Sequence, residues 1–276
     1  MSGARGLHFT FFCRHMASQN AGISAEGLRV DGRRAGEIRR LRCRVGVLAA
    51  ADGSAYLEQG NTFVLVSVSG PHDARSSRSK GQQPRGTLLT CEFRAMPYAT
   101  GEHKPQSESD RSATEMAAAV RRVFEPVVQA YSGSQVDVSI TLLQADGGIR
   151  SAAINATTLA LIDAGVAMED FVCACSAGSV HGALLLDPNS QEDGAGAELS
   201  VAYLPRSERV SFVQLESKVP LGSMEEILNF ALEGGRQVFS ALSAAVRLRL
   251  QERCAAGQQQ HQGAQQTHSQ TAAMDE

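Results

Sequence analysis

Two stretches of this chain hold residue types that can do chemistry on a phosphate. The first is Ala145-Asp146-Gly147-Gly148-Ile149-Arg150, where a strand-like run ends, paired glycines follow, and a helix-like run begins. Glycines let backbone approach an anion closely, and the first turn of the following helix offers unpaired N–H groups and the positive end of its dipole. Arg150 adds a planar, permanently charged fork suited to phosphate. The second stretch places Asp187 and Asp193 on either side of Pro188–Glu192, just after the apolar run Ala183–Leu186. Paired carboxylates at a strand end can hold Mg²⁺ or divide acid and base roles between them. Each stretch also has a plainer alternative. A Gly-Gly pair before a helix is most often only a turn, and a polar segment containing Glu192 suits a surface loop with helix caps.

Positive charge is unevenly distributed. Between Arg29 and Arg44 lie Arg29, Arg33, Arg34, Arg39, Arg40, Arg42 and Arg44, opposed only by Asp31 and Glu37. A second group, Arg75, Arg78, Lys80 and Arg85, sits in a loop-like stretch. Either run alone is compatible with a solvated face, but together they flank one group of strands and predict a local anion-facing surface. The total says something different: 26 basic against 29 acidic residues give a net charge of −3. A protein that grips a polyanion alone is usually basic. With no Trp and only 5% aromatic residues, a base-stacking platform is also excluded as the main device.

The elements that must position these residues follow from hydrophobic period. Val45–Ala51, Ala55 with Leu57, and Phe63–Val68 predict a three-stranded meander with turns at Asp52-Gly53 and Gly60-Asn61. Gly70–Gly86 and Pro97–Ser109 read as long polar loops on either side of a strand over Thr87–Met96. Asp110 caps a helix reaching toward Tyr131, with Glu115 placed in its first turn and Pro126 kinking or ending it. Val136, Val138, Ile140 and Leu142 alternate with polar residues as a half-buried strand. It leads into the glycine pair and a small-residue helix over Arg150–Ala164. Strands follow near Val172–Ala177, Ala183–Leu186, Leu199–Leu204 and Val210–Leu215. A last amphipathic helix spans Leu221–Cys254, with Gly234-Gly235 as a candidate bend. Strands in runs, broken by a few helices, predict an α+β domain with a mixed sheet.

The chain of 276 residues is long enough to bury a real core. Its six cysteines form no CxxC pair and have no His at finger-like spacing, so they read as small buried hydrophobes in a reducing compartment. Cys173 and Cys175 should share one face of a strand. No apolar run approaches the length of a membrane span. Residues 1–27 read as a flexible extension, 28–254 as the folded domain, and 255–276 as a disordered Gln-rich tail. The first fifteen residues carry Arg5, Arg14 and no acid, which suits either an organelle transit peptide or an extension ahead of a natural start at Met16; the second is preferred.

Several longer blocks are specific. Arg29-Val-Asp-Gly-Arg33-Arg34, Ala51-Asp-Gly-Ser-Ala-Tyr-Leu-Glu-Gln-Gly-Asn-Thr62 and Leu143-Gln-Ala-Asp-Gly-Gly-Ile-Arg150 closely resemble signatures of the ribonuclease PH family. Ala153-Ile-Asn-Ala156, Asp163-Ala-Gly165 and Phe171-Val-Cys-Ala-Cys-Ser-Ala-Gly178 extend the resemblance, which runs from about Leu28 to Leu250. Within the family it points to exosome ring subunits of the ribosomal RNA-processing protein forty-one type rather than to bacterial ribonuclease PH.

The resemblance implies a ribonuclease-PH-like mixed sheet packed with helices, assembled into a ring with other such subunits. It further implies RNA-binding cap subunits, an associated hydrolytic nuclease and RNA as partners, and a nuclear, nucleolar and cytoplasmic location without membrane attachment. Active members use inorganic phosphate as co-substrate to cleave the last phosphodiester of RNA and release a nucleoside diphosphate. On that model Gly147, Gly148, Ile149 and Arg150 form the phosphate cradle. Asp187 and Asp193 are the catalytic carboxylates and possible Mg²⁺ ligands, one of them protonating the departing 3′ oxygen. Arg111 matches one of two adjacent RNA-binding arginines, and Arg75 and Arg78 are further candidates for contact with RNA. This chain departs from the active pattern twice. Ser112 stands where the second arginine would be, and Ile149 stands where a hydroxyl residue is usual. Loss of one charged donor in such a site costs on the order of a hundredfold in rate. Loss of the hydroxyl adds about 1 kcal/mol. The expectation is therefore a ring subunit with weak or no phosphorolytic activity, the alternative being a working phosphorolytic exoribonuclease.

Overall fold

A computed structural model describes residues 24, 27–73, 87–100, 110–129, 133–180, 182–193 and 196–272, the backbone alone at 193, 221 and 256–272. Most of the N-terminal extension and of both long loops, and with them Arg75 and Arg78, lie outside the described residues.

The first half is a five-stranded sheet in the order β1-β2-β3-β5-β4. Its strands are β1 (Leu41–Val45), β2 (Gly53–Gln59), β3 (Thr62–Asp73), β4 (Leu88–Ala95) and β5 (Ser134–Gln144). All pairings are antiparallel except β4 on β5, so the sheet is mixed as expected. The meander is real, but its first strand lies earlier than hydropathy suggests. β1 occupies the basic run, with Leu41, Cys43 and Val45 half-buried and Arg42 and Arg44 exposed. Long charged side chains on the outer face hid a period-two pattern that was present in the sequence. Across β3 and β5, Val66 faces Ile140 and Val68 faces Val138, all within 2% of full burial.

Helix α1 (Arg111–Phe124) starts at Asp110, whose side chain accepts the Ser112 N–H. It ends before Pro126, and its first turn contains no acid, Glu115 falling one residue beyond it. The second half is an antiparallel sheet in the order β7-β6-β8-β9. Its strands are β6 (Cys173–Val180), β7 (Ala183–Leu186), β8 (Ala197–Leu204) and β9 (Arg209–Leu215). A short helix α3 (Ser190–Asp193) separates β7 from β8.

Helix α2 (Ile149–Asp163) joins the halves. Every residue from Arg150 to Leu161 is buried, because the helix packs against β2 and β3 on one side and β6 on the other. A helix enclosed in this way must be apolar or small all round. Ala152, Ala153, Ala156 and Ala160 allow close approach, while Thr157 and Thr158 return their hydroxyls to backbone carbonyls at Ala153 and Ile154.

Helix α4 (Leu221–Ala272) covers β6 and β8. Its backbone is helical through Gly234-Gly235, with no break at the expected bend. The pair instead permits contact: a Cβ on Gly234 would lie 2.6 Å from Cys175 Sγ. The helical backbone also continues past Cys254, through a stretch rich in Gln and Ala, which are good helix formers.

Candidate functional site

β5 delivers the chain to the glycine pair, and Ala145 N–H donates to Ala99 O to fix the exit. Gly147 has φ +75 and Gly148 φ +58, a left-handed conformation twice in succession that favours glycine strongly. A Cβ on Gly147 would sit 2.7 Å from Pro188 O, so the turn lies directly against the segment that follows Asp187. Gly148 is the N-cap of α2 and has no side-chain cap. Glycine offers no side-chain oxygen to the N–H groups of the first turn of α2, so the positive end of the helix is not capped by its own N-cap residue.

Asp187 is the centre of what holds this turn. It closes β7 in a left-handed conformation, φ +50, and is fully buried. Oδ2 accepts from Arg39 N at 3.1 Å and Arg39 Nε at 2.9 Å. Oδ1 accepts from Arg39 Nη2 at 2.7 Å and Gln59 Nε2 at 2.8 Å. Arg39 spends its remaining donors on Thr62 Oγ1, Asp146 O and Gly147 O. One guanidinium thus ties β3 and the residue after β7 to the glycine turn, and Gln59 of β2 joins them through Asp187. Burial by itself would lower the affinity of Arg39 for its proton, but the Asp187 carboxylate outweighs it and raises the pKa. A second pair reinforces the segment: Arg29 is buried against Glu192, and its Nη1 also donates to Leu186 O. Asp146 adds a third tie, accepting from Ser190 Oγ at 2.6 Å and Asn61 Nδ2 at 3.2 Å.

This arrangement corrects two expectations. The arginine run is not uniformly an anion-facing surface. Arg29 and Arg39 are 4% and 5% exposed and turn inward to Glu192 and Asp187, while Arg34, Arg40, Arg42 and Arg44 remain outside. Nor does Asp187 fit a Mg²⁺ ligand. Both of its oxygens are already taken by N–H donors in a sealed environment. Asp193 closes α3, one short segment beyond Asp187, and its side chain lies outside the described residues.

Arg150 is brought to the same turn but meets a different partner. Its side chain is 10% exposed, and Nη2 lies 2.6 Å from Oε1 of Glu216, just past the end of β9. Its Nε is buried with no hydrogen-bond partner. β9 also runs along α1: Ser211 Oγ donates to Val123 O, and Gln214 Nε2 reaches Glu115 at 3.4 Å. The same strand therefore links the N-terminal part of α1, where Arg111 and Ser112 are exposed, to Arg150. Sequence reasoning missed Arg39, Gln59, Glu192 and Glu216 as members of this constellation. An available signal was the mismatch between so many arginines and so few local acids, since long-range acids at 187–193 had to serve some of them. Cys173 and Cys175 are buried as expected, but Cys43 and Cys91 are only half-buried and Cys254 is exposed; burial drives the Cys91 thiol up to about 12 and those of Cys173 and Cys175 higher still.

The architecture has clear relatives. Residues 37–167 match the family described as 3′ exoribonuclease family, domain 1, and residues 170–234 match domain 2 of the same family. The mouse protein named exosome complex component RRP41 is 43% identical over 233 residues, 83% of this chain and 95% of that protein. The Methanopyrus kandleri protein named exosome complex component Rrp41 is 34% identical over 228 residues, 82% of this chain and 94% of its own length. Among solved structures, a chain of the Archaeoglobus fulgidus exosome with RNA bound to the active site superposes with a TM-score of 0.71 at 20% identity, covering 83% of this chain and 99% of that one. The two family matches fall one on each half of the fold, the aligned relatives span more than four fifths of the chain, and the chain belongs to the RNase PH family of 3′ exoribonucleases.

Proposed function

We propose that this chain is a ring subunit of the RNA exosome, acting in 3′-to-5′ RNA processing and decay with little or no phosphorolytic activity of its own. The observation that carries the reading is the turn itself. A left-handed glycine pair, an uncapped helix start and a nearly buried guanidinium converge at one place, braced from behind by Arg39 and Asp187. Such a site binds a phosphate through backbone N–H groups and a fork. The relatives named as exosome components support placing that phosphate in RNA. Their names support other exosome subunits as partners; the proposal extends to ring neighbours of the same family, RNA-binding cap subunits and an associated hydrolytic nuclease, in nucleus, nucleolus and cytoplasm.

Weak catalysis follows from what the site lacks. Phosphorolysis requires an oxygen of inorganic phosphate to attack the terminal phosphodiester, which brings anions together against their repulsion. The bond to O3′ breaks, O3′ takes a proton from a carboxylic acid, and a nucleoside diphosphate leaves. Arg150 and Arg111 remain to hold the anions, but Ser112 supplies no charge and Ile149 no hydroxyl. Asp187, with both oxygens engaged by Arg39 and Gln59, acts as a positioning residue, leaving Asp193 as the carboxylate for proton transfer. No step is assigned to Mg²⁺. Arg75 and Arg78 serve RNA entry, so reversing both charges should weaken RNA protection by the ring in a salt-dependent way.

The alternative, a working phosphorolytic exoribonuclease, is favoured by the retention of Arg150, Asp187 and Asp193. The ring reconstituted without its hydrolytic nuclease and supplied with RNA and inorganic phosphate separates the two. RNA binding with slow or undetectable release of nucleoside diphosphates is expected. Rapid phosphate-dependent release, abolished by Asp193→Asn, would establish the alternative.

A further inference from the structure

We infer that Glu216 is a resident anion at the phosphate site, occupying the Arg150 fork and swinging away when a phosphate binds. The inference rests on the reading of the glycine turn and Arg150 as a phosphate site, and adds how that site is regulated.

Three observations carry it. The first is unequal burial: the Arg150 side chain is 10% exposed, whereas that of Glu216 is 46% exposed. The guanidinium is built into the protein, and the carboxylate reaches it from outside. The second is incomplete pairing. Glu216 Oε1 sits 2.6 Å from Nη2, while Nε, which shares the same edge of the guanidinium, is buried without a partner. That edge is a two-donor fork matched to the paired oxygens of a carboxylate or phosphate. Glu216 fills one corner of it. A phosphate has enough oxygens to take Nε and Nη2 together and still accept from the first turn of α2. The third is ease of release. The Glu216 backbone is anchored by its N–H to Glu198 O at 3.1 Å, so the side chain can leave by rotation while the strand end stays in place.

The competing explanation is that Glu216 is a positioning residue that holds Arg150 in its productive orientation. The two roles predict opposite signs. If the carboxylate competes with the ligand, removing its charge frees the fork and removes repulsion toward an incoming dianion. If it positions Arg150, removing it loosens the fork and weakens binding.

The test is equilibrium binding of inorganic phosphate, and separately of a short oligoribonucleotide, to the reconstituted ring carrying wild-type chain, Glu216→Gln or Glu216→Ala. Thermal denaturation serves as the check on folding. Exposed ion pairs are weak, so both variants should bind phosphate about two- to fivefold more tightly than wild type. The gain should disappear when Arg150→Lys is added, since an ammonium lacks the two-donor edge. Unchanged or weaker binding by both Glu216 variants, in a ring whose wild-type phosphate binding is lost with Arg150→Lys, would overturn the inference while leaving the phosphate site standing. Absence of phosphate and RNA binding in every ring, wild type included, would overturn the site and this inference together.

Discussion

Arg39 holds both carboxylate oxygens of Asp187, through its backbone N–H, Nε and Nη2, across 148 residues of chain. The same guanidinium donates to the carbonyls of Asp146 and Gly147. A residue with the look of a catalytic acid is therefore also the keystone of the turn that would receive phosphate. Charge and conformation are coupled there: the left-handed Asp187 backbone is tolerated because its carbonyl is held by Arg33 and Arg29 as well.

Replacing Asp187 by Asn should therefore damage stability before it reports on chemistry. It leaves Arg39 buried beside a neutral amide, and breaking one partner of a buried pair costs about 3 kcal/mol or more. Urea denaturation of the purified chain checks this. A loss below about 1 kcal/mol would mean that the pair is not the brace described here.

The glycine turn makes a graded prediction. Gly147→Ala requires a left-handed alanine, costing about 1–2 kcal/mol, and places Cβ against the Pro188–Asn189 backbone. Gly165 has a similar φ of +72 with nothing within 4 Å of an added Cβ, so Gly165→Ala should incur only the conformational cost. Thermal denaturation should rank Gly147→Ala as the more destabilised by several degrees. Equal losses would contradict the close approach.

Adjacent glycines of α4 should respond with opposite signs. A Cβ at Gly234 meets Cys175 Sγ at 2.6 Å and Leu186 Cδ2 at 2.8 Å, an overpacking that costs about 1–3 kcal/mol and exceeds the gain in helix propensity. At Gly235 the nearest atom is Tyr203 Cδ1 at 3.6 Å, ordinary contact, so Gly235→Ala should stabilise by up to about 1 kcal/mol. Denaturant midpoints for the two variants check the signs.

Much of this was legible in the sequence because alternation and punctuation survive any tertiary context. The Val136–Leu142 pattern and the Asp110 cap are local facts with local causes, whereas the helix after Asp110 stops at Phe124, short of the expected Tyr131, Pro126 having left a kink and an end equally open. The family resemblance located the glycine turn and Asp187 without geometry. Which arginines of the run turn inward was not readable, since Arg29 and Arg39 are set apart from Arg34 and Arg40 only by partners more than a hundred residues away. Glu216 was silent for the same reason: an acid after a strand gains meaning only once the fold brings it against Arg150, 66 residues earlier in the chain. The division into two sheets around α2 was also missed. Its small residues suggested a helix, but only burial on every side shows that it is shared between them.

Ser112 gives a gain-of-function test. It is exposed in the first turn of α1, with its N–H bound to Asp110 Oδ1, so an arginine side chain fits without disturbing packing. Ser112→Arg should raise any residual phosphate-dependent release of nucleoside diphosphates by about tenfold or more, since one charged donor in such a site is worth that much. An unchanged rate in a correctly assembled ring would remove Ser112 from the account of weak catalysis.

The most direct test of the central claim is to see where RNA ends in the assembled ring. A structure of the complex with a short RNA and inorganic phosphate should place a phosphate at the first turn of α2, within hydrogen-bond distance of the Ile149 N–H and the Arg150 guanidinium. In that structure Glu216 should be displaced from Nη2. RNA threading the ring with that turn empty and the Arg150–Glu216 pair intact would contradict it.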